Sequence, residues 1–215
     1  MKFQILNSTD NELQLVVEGA SAALMNIIRR TISFEVPTFA IEEVYFKENT
    51  SVLYDEILAH RLGLVPLKVD KGIFGMKDPK IELTLTVEGP RDVTSADLKI
   101  VGKGVEALYP KTPLAKISKN QKIELRAVAI PGTGKEHVKW SAGHAYYFHY
   151  SSKAKGTENL EKLRKMVDSA EIGTLKNQPN KFILVIESWG QLEPKVLLKQ
   201  ALDKIGANLS ELKVK

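Results

Sequence analysis

Few side chains in this sequence are of a type and spacing that could do chemistry. Its four histidines, His60, His137, His144 and His149, titrate near neutrality and are of a kind that ligates zinc. No cysteine and no carboxylate pattern completes a site around them. The last three stand seven and five residues apart in a region that reads as loop and strand, where structural or surface roles are expected. Pro131-Gly-Thr-Gly-Lys135 resembles a phosphate loop, whose amides and lysine wrap a triphosphate, but Ala129 occupies the place of its first glycine and Glu136 that of its Ser/Thr. Asp55 and Glu56 are adjacent, so on a helix they point about 100° apart and cannot serve one substrate atom as acid and base. Stabilisation of a helix N-terminus is enough to explain them. No Ser-His-Asp arrangement, DxD triad or glycine-rich dinucleotide fingerprint is present, and an independent enzyme is not expected.

The bulk numbers bound the answer further. A chain of 215 residues, 43% apolar, can fill one large core or two small ones. Zero cysteines remove disulfides, thiolate metal sites, iron-sulfur clusters and cysteine nucleophiles together. No apolar run approaches the roughly 18 to 20 residues that span a bilayer, and Met1-Lys2-Phe3-Gln4 lacks the pattern of a signal peptide. A folded cytoplasmic protein without membrane contact is expected. Residues 111–165 hold 12 Lys/Arg against 4 Glu and no Asp, a net +8 that the remainder, at −3, brings to +5. Such a stretch could face nucleic acid or an acidic partner, or simply be a solvated surface.

These residues need elements to position them. Leu13, Leu15 and Val17 alternate as in a half-buried strand, Gly19 ends it, and Ser21 offers an N-cap. In the helix that follows, Leu24, Ile27, Ile28 and Phe34 fall on one face, opposite Asn26, Arg29, Arg30 and Ser33, until Pro37 forces extension. Ala40 to Lys47 reads as a strand, and Val52 to Leu62 as a helix closed by Gly63 in the left-handed conformation. Ile81 to Glu88 alternates with period two, and Leu98 to Val101 and Lys122 to Ile130 are further strands, giving a mostly β middle. Glu158 to Ser169 reads as an amphipathic helix, and Phe182 to Ile186 as a strand covered on both faces. After a turn at Gly190, Pro194 opens a final helix with a stripe at Leu198, Leu202, Ile205, Leu209 and Leu212. The expected fold is α+β, a discontinuous domain of residues 1–48 and 159–215 around an inserted domain of 49–158.

Three segments carry a family resemblance. Asn49 to Leu67, which includes Ala-His-Arg-Leu-Gly-Leu-Val-Pro-Leu, closely resembles the signature of the alpha-like assembly subunit of multisubunit RNA polymerases, in its archaeal form and the eukaryotic counterpart. Ala22 to Ala40 is similar to the family's helix ending in Arg-Arg and then Glu-Val-Pro-Thr. Gly132-Thr-Gly-Lys-Glu-His-Val-Lys-Trp140 looks like a third family stretch, with Val138 in place of Ala. Phe182 to Leu212 fits the family's closing strand, turn and helix.

The resemblance implies a non-catalytic subunit of a DNA-directed RNA polymerase whose first and last helices pair with a smaller alpha-like partner, subunit L. Leu24, Ile28, Leu198, Leu202, Ile205, Leu209 and Leu212 would line that pairing. Arg29, Arg30, Asp55, Glu56, His60 and Arg61 are the residues expected to dock the second-largest and largest subunits, with small subunits N and P attached and DNA met only through the whole complex. Many archaeal relatives carry a cysteine-bearing subdomain with an iron-sulfur cluster before the last strand. Here that stretch, Tyr150 to Lys181, has no cysteine, so no cofactor is expected, and the Glu158 to Ser169 helix is a candidate replacement. The alternative is a free-standing basic nucleic-acid-binding protein.

Overall fold

The computed structural model describes residues 1–74, 76–102, 104–151 and 177–211. The predicted Glu158 to Ser169 helix and Leu212 lie outside them. In chain order the first elements are β1 (Lys2–Ser8), β2 (Glu12–Glu18), α1 (Ala22–Phe34), β3 (Thr38–Asn49), α2 (Asp55–Gly63), β4 (Leu67–Val69) and α3 (Lys71–Phe74). There follow β5 (Ile81–Glu88), β6 (Arg91–Thr94), β7 (Lys99–Val101), β8 (Val105–Ala107), β9 (Pro113–Ile117) and β10 (Lys122–Gly132). The last are β11 (Gly143–Ser151), β12 (Asn177–Ser188) and α4 (Pro194–Glu211).

The chain forms two compact units, a terminal one of Met1–Val36 with Ala142–Lys215 and an inserted one of Pro37–Ser141. The insertion therefore begins and ends earlier than the expected limits at 48/49 and 158/159. The reason is strand pairing: β3 runs beside β10 from Thr38 opposite Gly132 to Asn49 opposite Ile123, while β11 pairs with β12.

In the terminal unit the antiparallel order is β1-β2-β12-β11. Leu13, Leu15 and Val17 point to the same core as Phe182, Leu184 and Ile186, and α1 and α4 cover it. Ile183 and Val185 are buried on the opposite face with Leu6, Tyr146 and Phe148 around them, which explains the uninterrupted apolar run. Gly19 takes φ +76° at the end of β2. Ser21 Oγ then accepts from the Leu24 amide at 3.2 Å, satisfying one of the free N–H groups of the first turn. The buried face of α1 is Met25, Ile28, Thr31 and Ile32, a rotation from the expected one: Ile27 and Phe34 are 49% and 45% exposed. Along α4, Pro194, Leu197 and Ala201 are buried, and Leu198, Leu202 and Ile205 pack partly on the core.

In the inserted unit, β3-β10-β5-β7 form the main sheet, and β4–β8 and β6–β9 form two-stranded ribbons. The period-two reading of β5 holds, with Ile81, Leu83, Leu85 and Val87 turned into the core. Leu58 and Leu62 of α2 lie in that same core. The helix starts at Asp55 rather than Val52, and Gly63 is its last helical residue instead of a left-handed stop. Its lack of a side chain serves a close approach: a Cβ there would sit 3.3 Å from the Ile41 carbonyl oxygen.

Candidate functional site

The polar turn ahead of α2 is built around one side chain. Asn49 Oδ1 accepts from the Ser51 amide at 3.1 Å and its hydroxyl at 2.7 Å, while Nδ2 donates to the Leu53 carbonyl at 2.9 Å and to Asp55 Oδ1 at 2.7 Å. Thr50 Oγ1 accepts from the Lys122 amide at 2.7 Å and so fastens the turn to β10. With its polar groups satisfied, the turn projects Val52 and Tyr54 outward, 79% and 75% exposed. Ile57 and Leu64, also exposed, belong to the same short stretch as exposed Asp55, Glu56 and His60. Exposed apolar and aromatic side chains thus gather in one short stretch, with polar and acidic groups among them.

The six residues expected to dock other subunits are not alike. Asp55, Glu56 and His60 are exposed on α2, and Asp55 is already held by Asn49. Arg61 Nη1 donates to the Leu114 carbonyl of β9 at 2.6 Å. In the terminal unit Arg29 is half-buried and donates through Nε and Nη2 to Asn26 Oδ1, at 3.2 and 3.0 Å, whereas Arg30 is exposed. Among the helix residues named for pairing, Ile28 is wholly buried in its own core, so its side chain has no area left for a partner. Leu24, Leu198, Leu202 and Ile205 are half-buried, and Leu209 is 62% exposed.

Sequence reasoning misses Val52, Tyr54, Ile57 and Leu64, although Val52 and Tyr54 stand out as large apolar residues beside a polar turn. It also sets Ile27 and Phe34 on one face with Ile28, which alone of the three is buried.

An ion network closes the base of the signature turn. Lys122 Nζ lies 3.1 Å from Glu48 and 2.8 Å from Glu124, and Lys47 also reaches Glu124. Hydrogen bonds from Lys122 and then Lys47 draw the Glu124 carboxyl down from 4.5 to about 2, and those carboxylates raise the Lys122 ammonium in turn, Glu124 first.

The Gly132 to Trp140 stretch folds on itself. Trp140 Nε1 donates to the Ile130 carbonyl at 3.1 Å, and its ring covers Gly132, where a Cβ would lie 2.5 Å from ring carbons. Lys139 Nζ sits 4.5 Å from the Trp140 ring centre and donates to the Ile41 carbonyl at 3.1 Å. His137 Nδ1 accepts from the Lys139 amide at 3.1 Å, which leaves its proton on Nε2. This is a structural turn in which Lys139 is committed to protein groups. Among the described residues no cluster of three or more His, Asp or Glu could hold a metal.

Residues 44–145 match the family described as the RNA polymerase Rpb3/RpoA insert domain. The chain is 42% identical over 175 residues to the DNA-directed RNA polymerase subunit Rpo3 of Pyrococcus horikoshii, covering 77% of this chain and 68% of that one. The chain belongs to the Rpo3 family. Its likeness to Rpo3 of Methanothermobacter thermautotrophicus is 33% over 198 residues, covering 86% and 75% of the two chains. With Rpo3 of Methanocaldococcus jannaschii it is 46% over 128 residues, covering 60% and 64%. The α+β architecture, with a discontinuous terminal unit around a largely β insert, is that expected of an Rpo3 chain.

Proposed function

We propose that this chain is the non-catalytic assembly subunit of an archaeal DNA-directed RNA polymerase. It pairs through α1 and α4 with the small alpha-like subunit L. The pair is the platform that receives the large subunits, the second-largest first and the largest afterwards, with N and P attached. Ribonucleotide polymerisation belongs to the whole complex, and this subunit meets DNA only through it.

The observation that carries this reading is the apolar surface left on the two helices of the terminal unit. Ile27 and Phe34 on α1 and Leu209 on α4 are 49%, 45% and 62% exposed, while other faces of the same helices are buried. Fully burying a side chain of this size contributes about 1.5 to 3 kcal/mol, and a partner would recover the share that is still exposed. Docking of the large subunits uses the second surface, the turn and α2, where Val52, Tyr54 and Ile57 supply apolar area, Glu56 the charge and His60 a further polar group.

No described helix is long and apolar enough to cross a membrane, and the subunit is assigned to the cytoplasm with its polymerase. The reading includes no iron-sulfur cluster, since the sequence offers no cysteine thiolate to hold one.

Co-expression with subunit L tests the proposal. A soluble one-to-one complex is expected, against a self-associating chain when expressed alone. A stable monomer by light scattering that ignores subunit L at about micromolar concentration would overturn it. So would tight DNA binding by the isolated chain with the steep salt dependence of several phosphate contacts.

A further inference from the structure

The far end of α4 is packed differently from the rest. From Gly206 to Glu211 every residue is exposed, and a Cβ built on Gly206 meets nothing within 4 Å. A helix end that only faces water is usually dressed in charge. Here Ile205-Gly-Ala-Asn-Leu-Ser210 carries none, although Lys195, Lys199, Asp203 and Lys204 precede it. Glycine in a helix also weakens it relative to alanine, so Gly206 is a cost without a visible return among the described residues. Leu202, Gly206 and Leu209 share one face at spacings of four and three. Asn208 Nδ2 donates to Glu35 Oε2 at 3.0 Å, which ties the ends of α4 and α1 together. Phe34 and Leu209, the chain neighbours of that bonded pair, are both exposed, so the apolar surface runs from one helix to the other.

Resting on the heterodimer reading above, we infer that Gly206 is the seat at which an apolar helix of the alpha-like partner crosses α4 at close backbone distance. The separation of packed helices is set by the side chains at their contact, and a residue without a side chain permits the nearest approach. Charge is depleted there because the centre of such a contact is dry.

The experiment is a competition during co-expression of full-length chains. A tagged Gly206→Ala chain and the untagged wild type compete for a limiting amount of subunit L, and the ratio of the two chains captured with L is measured. Gly206→Leu is run in parallel. Alanine strengthens a solvent-exposed helix, so a Gly206 that faces only water predicts equal or better capture of the variant. The seat predicts the reverse: Gly206→Ala is under-represented about tenfold, and Gly206→Leu more so. Parity of both variants with wild type, in cells where the wild type does pair with L, would sink the seat and leave the heterodimer standing. Failure of the wild type itself to pair would remove both. Tagged and untagged chains captured together without L would mean that a second copy fills the site, and would also overturn the inference.

Discussion

Arg61 reaches from α2 to β9 and donates from Nη1 to the carbonyl oxygen of Leu114 at 2.6 Å. An arginine expected to dock another subunit thus also holds its own unit together. A charged donor on a backbone carbonyl is worth about 1.5 to 3 kcal/mol when buried, and less in a partly solvated place such as this. Arg61→Ala is expected to lower the stability of the chain by about 1 kcal/mol, read as a lower urea midpoint with an unchanged slope. Arg61→Glu should remain folded in dilute buffer yet bind the second-largest subunit less tightly. Equal binding by that variant would remove Arg61 from the docking surface.

Gly132 has an ordinary backbone but no room. A methyl group there would lie 2.5 Å from the Trp140 ring, and the ring is held in place by its bond to the Ile130 carbonyl. Gly132→Ala should cost about 1 to 3 kcal/mol through overpacking, seen as a lower melting temperature. A melting temperature equal to that of wild type would show that the tryptophan moves freely.

Acid should loosen the inserted unit through Glu124. Its folded carboxyl titrates at about 2, against an ordinary 4.5. Because the folded value is the lower one, the contribution is fully present above 4.5 and is lost as pH falls from there toward 2. Urea midpoints of wild type and Glu124→Gln should therefore converge over that range and differ most near neutrality. A gap that is constant from neutral pH down to about 2 would show that Lys122 and Lys47 do not hold the carboxylate in solution.

The two faces of α1 should respond in opposite ways to an added charge. Phe34→Asp should leave the fold intact while abolishing capture by subunit L, since an unpaired charge in a dry interface costs several kcal/mol. Leu209→Asp should behave alike. Ile28→Asp, at a position with no exposed area, should instead prevent folding. Circular dichroism and partner capture on the same preparations separate these outcomes.

Local rules are legible in the sequence where one residue decides them. Gly19 and Ser21 set the end of β2 and the start of α1, and the alternation of Ile81 to Glu88 determines which face of β5 turns inward. The buried face of α1 is not legible in the same way, because the helix has apolar residues on more than one side. Periodicity alone cannot tell a side buried by the chain from one left outside. The role of Gly63 depends on the close approach of the Ile41 carbonyl, a contact between α2 and β3 that leaves no sign in the residues around the glycine. The limits of the insertion are hidden for a similar reason, as β3 and β11 declare their unit through pairing partners distant in sequence. On the candidate surfaces, the exposed charges of α2 follow from the sequence, whereas the outward reach of Val52 and Tyr54 depends on how Asn49 ties the turn.

The terminal sheet joins strands from opposite ends of the chain, with Val17 opposite Phe182. On the ribosome this imposes an order. Pro37–Ser141 is contiguous and holds every strand of its own sheets, so it can close as soon as it has emerged. The β1–β2 hairpin, by contrast, has no second neighbour until β12 is made, a delay of roughly 8 to 33 s at typical elongation rates. Until then the apolar faces of β2 and α1 are uncovered, and this half of the protein depends on late synthesis, or on a chaperone, to reach its fold.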